Sequence, residues 1–212
     1  MIVIVDYGAG NLSSVANALR FLGSQPAVSS DPAALQNADG IILPGVGAFA
    51  DAMGRLAQLG LINPIRKIAG EKRVPLLGIC LGMQLLAEHA TEGGACEGLG
   101  LLPGRVELVP VNDLPLPHVG WNEVAWTDGS VLAAGIAPGA HFYFDHSYCF
   151  LGAESQVVGR TDYGQPLAAA VEAGTIMGAQ FHPEKSQVNG LRLIRNFTRV
   201  VEATQRAGIS GC

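Results

Sequence analysis

Cys80 stands in the run LLGICLGMQLL, residues 76–86, with Gly78 and Gly82 each one residue removed from it. An apolar, strand-like stretch ends at the cysteine and a helical pattern follows at once. That is the nucleophile elbow of G-x-S-x-G hydrolases with sulfur in place of oxygen. Side chains at 78 and 82 would collide with neighbouring backbone in so tight a corner, which accounts for the glycines. A free thiol ionises near pH 8.5, so a nucleophilic role requires help. The N-terminus of the helix expected from about Leu81 offers partial positive charge to a thiolate. A buried structural cysteine would also suit such a corner, so the chemistry depends on finding a base.

His182, in AQFHPEKS, is the candidate. Pro183 biases His182 towards extended backbone. In extended chain, positions i and i+2 face the same side, which brings the Glu184 carboxylate within reach of the imidazole. A carboxylate on one ring nitrogen fixes the tautomer and leaves the other nitrogen to exchange a proton with the thiol. A surface His–Glu pair at a strand end is the alternative. The order Cys, His, acid differs from that of α/β-hydrolases, and papain-like enzymes surround their cysteine differently. His118, His141 and His146 lack metal-ligand spacing, so neither a metal nor another cofactor is expected.

The elements that must position these groups read as α/β. IVIVD (2–6), GIILP (40–44) and PLLGIC (75–80) are short apolar runs suited to strands buried on both faces. Each leads through glycine into a helical pattern. After the first, Leu12, Val15, Ala16, Leu19 and Leu22 recur at helical spacing, with Asn11 as N-cap candidate and Gly23 as stop. This is the signature of a doubly wound, largely parallel sheet with helices on both faces, whose ligand site lies beyond the strands' carboxyl ends. The second half adds RVELVP, HVGWNEVAW, HFYFDHSYCFL, PLAAAVEAG and TIMGAQF, with a hairpin turn at Ala173–Gly174. A final helix is expected from about Ser186, its cap, to Gln205, burying Leu191, Ile194, Thr198 and Val201. No linker or repeat divides the 212 residues, so 1–212 reads as one domain.

Composition narrows the partners. A net charge of −5 argues against nucleic acid or an anionic membrane surface. The start MIVIVDYG has no basic n-region, and no apolar stretch approaches the ~20 residues that span a bilayer. Cys80, Cys96, Cys149 and Cys212 form no C-x-x-C pair, which suits reduced thiols in a cytoplasmic protein. Cys212 does not make a prenylation box, which would need cysteine where Ile209 stands. DYGAGN after the first strand resembles a dinucleotide loop, but Ser13 occupies the place of its last glycine.

GICLGMQLL together with FHPE resembles the class I, triad, glutamine amidotransferases. DYGAGN, PGVGAF, HVGWNEV, HSY and HPEKS narrow the resemblance to the glutaminase subunits of imidazole glycerol phosphate synthases. The resemblance runs from Asp6 to Ser186 and implies a flavodoxin-like scaffold. It implies that Cys80 attacks the side-chain amide of L-glutamine, that His182 protonates the departing ammonia, and that Glu184 supports the imidazole. Leu81 N–H is one candidate oxyanion donor; the second would come from Gly45–Val46–Gly47, with Val46 N–H turned into place when the partner is loaded. Gln84 would contact the glutamine, Glu92 its α-amino group, and Ser147 with Tyr148 its α-carboxylate. Asn11, Trp121 and Lys185 match positions facing a separate cyclase chain, a (β/α)8 barrel that forms a heterodimer with the glutaminase and receives its ammonia. Two other readings remain: a triad glutaminase serving another synthase, such as that making pyridoxal phosphate, or a non-catalytic glutamine-binding regulatory subunit.

Overall fold

The structure is a computed structural model that describes the backbone of residues 1–111 and 113–209, with side chains as far as residue 207. Cys212 lies outside the described residues. The first half runs β1 (Ile2–Val5), α1 (Leu12–Phe21), β2 (Ala27–Ser29), α2 (Pro32–Gln36), β3 (Gly40–Gly45) and α3 (Phe49–Gln58). It continues through α4 (Ile62–Ile65), with a π-helical extension over Arg66–Glu71, to β4 (Leu76–Cys80) and α5 (Leu81–Gln84). Next come β5 (His89–Ala90), β6 (Cys96–Glu97), β7 (Gly104–Leu108), β8 (His118–Glu123), β9 (Ala125–Trp126) and β10 (His141–His146). The chain then forms β11 (Tyr148–Gly152), β12 (Val157–Asp162), β13 (Pro166–Ala173), β14 (Ile176–Ala179) and α6 (Gln187–Ile209).

Eight strands form the central sheet in the order β2-β1-β3-β4-β14-β13-β12-β9. The first five pair in parallel, and β13, β12 and β9 add antiparallel neighbours. Alternation along the strands divides the core. Val3, Val5, Ile41, Leu43 and Leu76 pack with Phe49 and Leu56 of α3. Ile2, Ile4, Ile42, Leu77 and Ile79 pack with Val15 and Leu19 of α1 and Ile194 and Phe197 of α6. Both faces are therefore covered, which is why these strands read as unbroken apolar runs. Two smaller sheets, β10-β8 and β11-β7-β5-β6, carry the wall opposite the elbow.

Several local expectations need correction. HFYFDHSYCFL is two strands, because the chain turns at Ser147 and passes from one small sheet to the other. HVGWNEVAW likewise divides at Val124. The hairpin loop is Gly174–Thr175, one residue later than expected, since Ala173 pairs with Ile176; Gly174 takes φ +62. Asn11 makes no side-chain cap, although its carbonyl accepts the first helical bond from Val15 N–H. Gly23 does end α1: its N–H bonds to Arg20 O and that of Ser24 to Leu19 O, a Schellman closure. In α6, Ile194, Thr198 and Val201 are buried and Leu191 is partly so.

Candidate active site

The parallel strands β3 and β4 end side by side, with Gly45 opposite Cys80. Cys80 adopts φ +54 and ψ −112, a conformation rare for a residue with a side chain. Close packing fixes this corner. A Cβ on Gly82 would lie 1.7 Å from Leu43 O, and one on Gly78 would lie 2.6 Å from Gly82 O. The glycines thus let the elbow nest against β3, as the sequence implies. The helix that follows is shorter than expected: α5 has four residues, too few for a large macrodipole. Most of the electrostatic support for the sulfur must come from side chains.

The His182 ring supplies part of it, and Glu184 acts on the sulfur only through that ring. His182 Nδ1 lies 2.9 Å from Glu184 Oε1, and both side chains are almost wholly buried. Glu184 Oε2 is buried with no hydrogen-bond partner among the described residues, so the carboxylate's polar contact is with the ring. Burial pulls the His182 pKa down, but hydrogen bonds to Cys80 and Glu184, with their negative charges, outweigh it and raise the value to about 9. The ring therefore favours a proton at neutral pH, between a sulfur on one side and a carboxylate on the other. Ser186 locks the arrangement. Its hydroxyl donates to His182 O at 2.6 Å and accepts from Tyr143 N–H at 3.0 Å, while His182 N–H donates to Tyr143 O at 2.8 Å. The Ser186 hydroxyl thus holds the histidine's backbone and does not cap α6.

Cys80 and His182 open into a cavity of about 240 Å³. Gln84, Glu92, Ser147 and Tyr148 all line it, as do Leu81, Val46 and Gly47. Gly45 lies just beneath, where a Cβ would meet the Tyr7 hydroxyl at 2.4 Å. That hydroxyl is buried without a partner among the described residues; burial, then the neighbouring Cys80 charge, pushes the phenol up. Gly47 has φ +96 and Val46 is exposed, so the strip Gly45–Val46–Gly47 reaches the surface at the mouth. One Glu92 oxygen accepts Phe49 N–H at 2.8 Å, capping α3 from across the pocket. Gln84 donates to Tyr148 O at 2.9 Å and to Gln180 Oε1 at 3.0 Å.

Asn11, Trp121 and Lys185 do not line the cavity. Trp121 meets the Tyr143 ring edge-on at 6.1 Å, and Lys185 Nζ lies 5.4 Å from the centre of the same ring. Two of the expected partner contacts therefore share one aromatic support. Asn11 follows Gly10, where an added Cβ would lie 3.2 Å from Pro44. Sequence reading missed Asp145, His146, Pro117 and Gln180. The first three line the cavity, and Gln180 stands 3.8 Å from Cys80 Sγ. Gln180 was discoverable, being two residues before His182 and so on the same side of an extended chain. His146 is held by Tyr148 O at 2.8 Å and His118 at 3.1 Å, and burial lowers its pKa to about 4, which keeps it neutral. Among the described residues, no group of three or more His, Cys, Asp or Glu side chains could hold a metal, and no helix is long and apolar enough to cross a membrane.

A model of the family "Glutamine amidotransferase class-I" matches residues 3–201. The imidazole glycerol phosphate synthase subunit HisH of Moorella thermoacetica is 49% identical over 208 residues, covering 98% of each chain. That of Symbiobacterium thermophilum is 51% identical over 201 residues, covering 94% of each. A solved glutamine amidotransferase superposes with a TM-score of 0.76 at 22% identity, over 95% of this chain and 100% of its own. PurLQS from Thermotoga maritima gives 0.73 at 19%, over 94% and 98%; these two likenesses concern the fold.

Proposed function

The chain belongs to the class I glutamine amidotransferase family, and from that premise we propose that it is the glutaminase subunit of an imidazole glycerol phosphate synthase. Near-full-length identity of 49–51% to HisH subunits supports this assignment over other triad glutaminases. Residues 1–212 serve as one amidotransferase domain, acting in the cytoplasm as half of a heterodimer with a (β/α)8 cyclase chain.

In this reading the Cys80 thiolate attacks the side-chain carbonyl carbon of L-glutamine. A C–S bond forms, and the carbonyl electron pair moves onto oxygen, facing Leu81 N–H and, in the activated state, Val46 N–H. Collapse breaks the C–N bond as His182 gives its proton to nitrogen, and ammonia leaves. Water then loses a proton to His182 and attacks the thioester, releasing glutamate and regenerating the thiolate. Glu184 holds the ring in the tautomer both steps need. Glu92 takes the α-ammonium group, and Ser147 with Tyr148 the α-carboxylate. Ammonia passes to the cyclase, which makes imidazole glycerol phosphate and AICAR for histidine biosynthesis. Asn11, Trp121 and Lys185 face that chain.

The observation carrying the proposal is the 2.9 Å His182–Glu184 bond on a ring that also contacts Cys80. The test measures glutamate release with and without the cyclase and its nucleotide. Turnover should require both Cys80 and the cyclase for its full rate. Undiminished turnover by Cys80→Ala would overturn the assignment.

A further inference from the structure

We infer that Gln180 is a catalytic residue: its side-chain N–H donates to Cys80 Sγ and stabilises the thiolate, in an orientation dictated by the Tyr148 carbonyl through Gln84. The inference rests on Cys80 being the nucleophile.

The orientation follows from one group that can only accept. Tyr148 O takes a hydrogen bond from Gln84 at 2.9 Å, so the Gln84 atom facing it must be the amide nitrogen. The same nitrogen lies 3.0 Å from the Gln180 side chain. Gln180 must present oxygen there, since two amide nitrogens facing each other make no bond. Its own nitrogen is then turned to Cys80 Sγ at 3.8 Å. Gln180 is fully buried and Gln84 nearly so, and the Gln180 backbone N–H is tied to Ala169 O at 2.9 Å in the sheet. The Gln180 amide is shielded from solvent, so water does not compete for its donors.

The second polar neighbour of the sulfur works in the opposite direction. Cys80 Sγ lies 3.7 Å from Asp145 O, a carbonyl that accepts from a thiol but repels a thiolate. Ionisation therefore costs one hydrogen bond. A donor that strengthens as charge develops on sulfur offsets that loss, and Gln180 is so placed. The four-residue α5 supplies little of this stabilisation, which makes the amide the more consequential. The imidazolium of His182 must give its proton away during the reaction, whereas Gln180 keeps its own and can support sulfur again as leaving group in thioester hydrolysis.

The test is the pH dependence of Cys80 alkylation by iodoacetamide in the full-length chain, read by mass spectrometry of the Cys80 peptide, with the Cys96 peptide as control. Gln180→Met and Gln180→Leu, which lack the donor, should move the midpoint up by about one pH unit, roughly a tenfold loss of thiolate near neutrality. Cys96 should not move, and kcat should fall about tenfold with KM for glutamine within about threefold. Should both variants misfold, the Gln180 side-chain ¹⁵N–¹H signals of the unmutated chain carry the test. They should shift with the Cys80 midpoint, and invariant signals overturn the inference. Superimposed alkylation profiles do the same. Wild-type chain that fails to turn over glutamine beside its cyclase would instead sink the functional reading, leaving the alkylation result intact.

Discussion

His182 and Glu184 share a hydrogen bond of 2.9 Å across a single intervening residue, Pro183, and both side chains are almost wholly buried. The backbone makes this possible: His182 is extended at φ −97, ψ 95, and a 3-10 turn over Pro183–Lys185 then brings the carboxylate back to the ring. Glu184→Gln retains the shape but replaces the charge, and its amide can present a donor to Nδ1. That stabilises the wrong tautomer and weakens the imidazolium. We expect kcat to drop by about two to four orders of magnitude with KM little changed. Steady-state glutaminase assays with the cyclase present check this, and a loss confined to KM would remove Glu184 from the chemistry.

Two buried histidines give the protein opposite pH limits. Folding raises His182 from 6.5 to about 9, so its bound proton stabilises the folded chain fully below 6.5, and that contribution is lost as pH rises through about 9. Folding lowers His146 from 6.5 to about 4, so its neutral form favours folding above 6.5, and stability falls as pH drops towards 4. Urea midpoints measured from pH 4 to 10 should decline at both ends. His146→Gln should flatten the acid limb, and Glu184→Gln the alkaline one. Turnover should also decline above about pH 9, where His182 loses the proton it gives to ammonia.

The elbow's packing makes a third expectation. A methyl on Gly82 would overlap Leu43 O, which belongs to the middle of the sheet and cannot withdraw without breaking β3. Gly82→Ala should cost on the order of 3–5 kcal/mol, the range of severe core disruption. Gly54→Ala makes the control, because its added methyl meets nothing within 4 Å and a helix favours alanine. At roughly 2–4 °C per kcal/mol for a chain of this length, thermal melts of the two variants should differ by about 6–20 °C; similar melts would mean the corner is looser than its contacts imply.

How these features were legible depended on range. The buried strands announce themselves because both faces are covered, so Ile2–Val5 and Gly40–Gly45 carry no polar position to confuse the period. Cys80, His182 and Glu184 carry their chemistry in side-chain type and spacing within a few residues. β12 (Val157–Asp162) was missed because it mixes Gly159, Arg160 and Thr161 with its valines, and its place is fixed by pairing with β13 and β9. The break at Ser147 depends on two separate sheets competing for one run. Ser186 has the local sequence of a helix cap, yet the Tyr143 N–H from a distant strand claims its hydroxyl. Long-range partners decide such cases, and no window of sequence contains them.

Gly47 separates conformational freedom from space. At φ +96 it occupies a region that side chains rarely adopt, yet a Cβ there would meet nothing within 4 Å. Gly47→Ala therefore introduces no clash; it penalises the observed conformation and the passage to others, by about 1–2 kcal/mol. If the Val46 N–H turns towards the oxyanion when the cyclase is loaded, that penalty falls on the turning strip. The ratio of cyclase-stimulated to unstimulated glutamine turnover should then fall at least tenfold, with the affinity of the two chains unchanged. Titration calorimetry for the complex and coupled glutamate assays for turnover separate these quantities. A ratio equal to that of the wild type would mean that the second oxyanion donor is already in place before the cyclase acts, and activation would have to be sought elsewhere in the cavity.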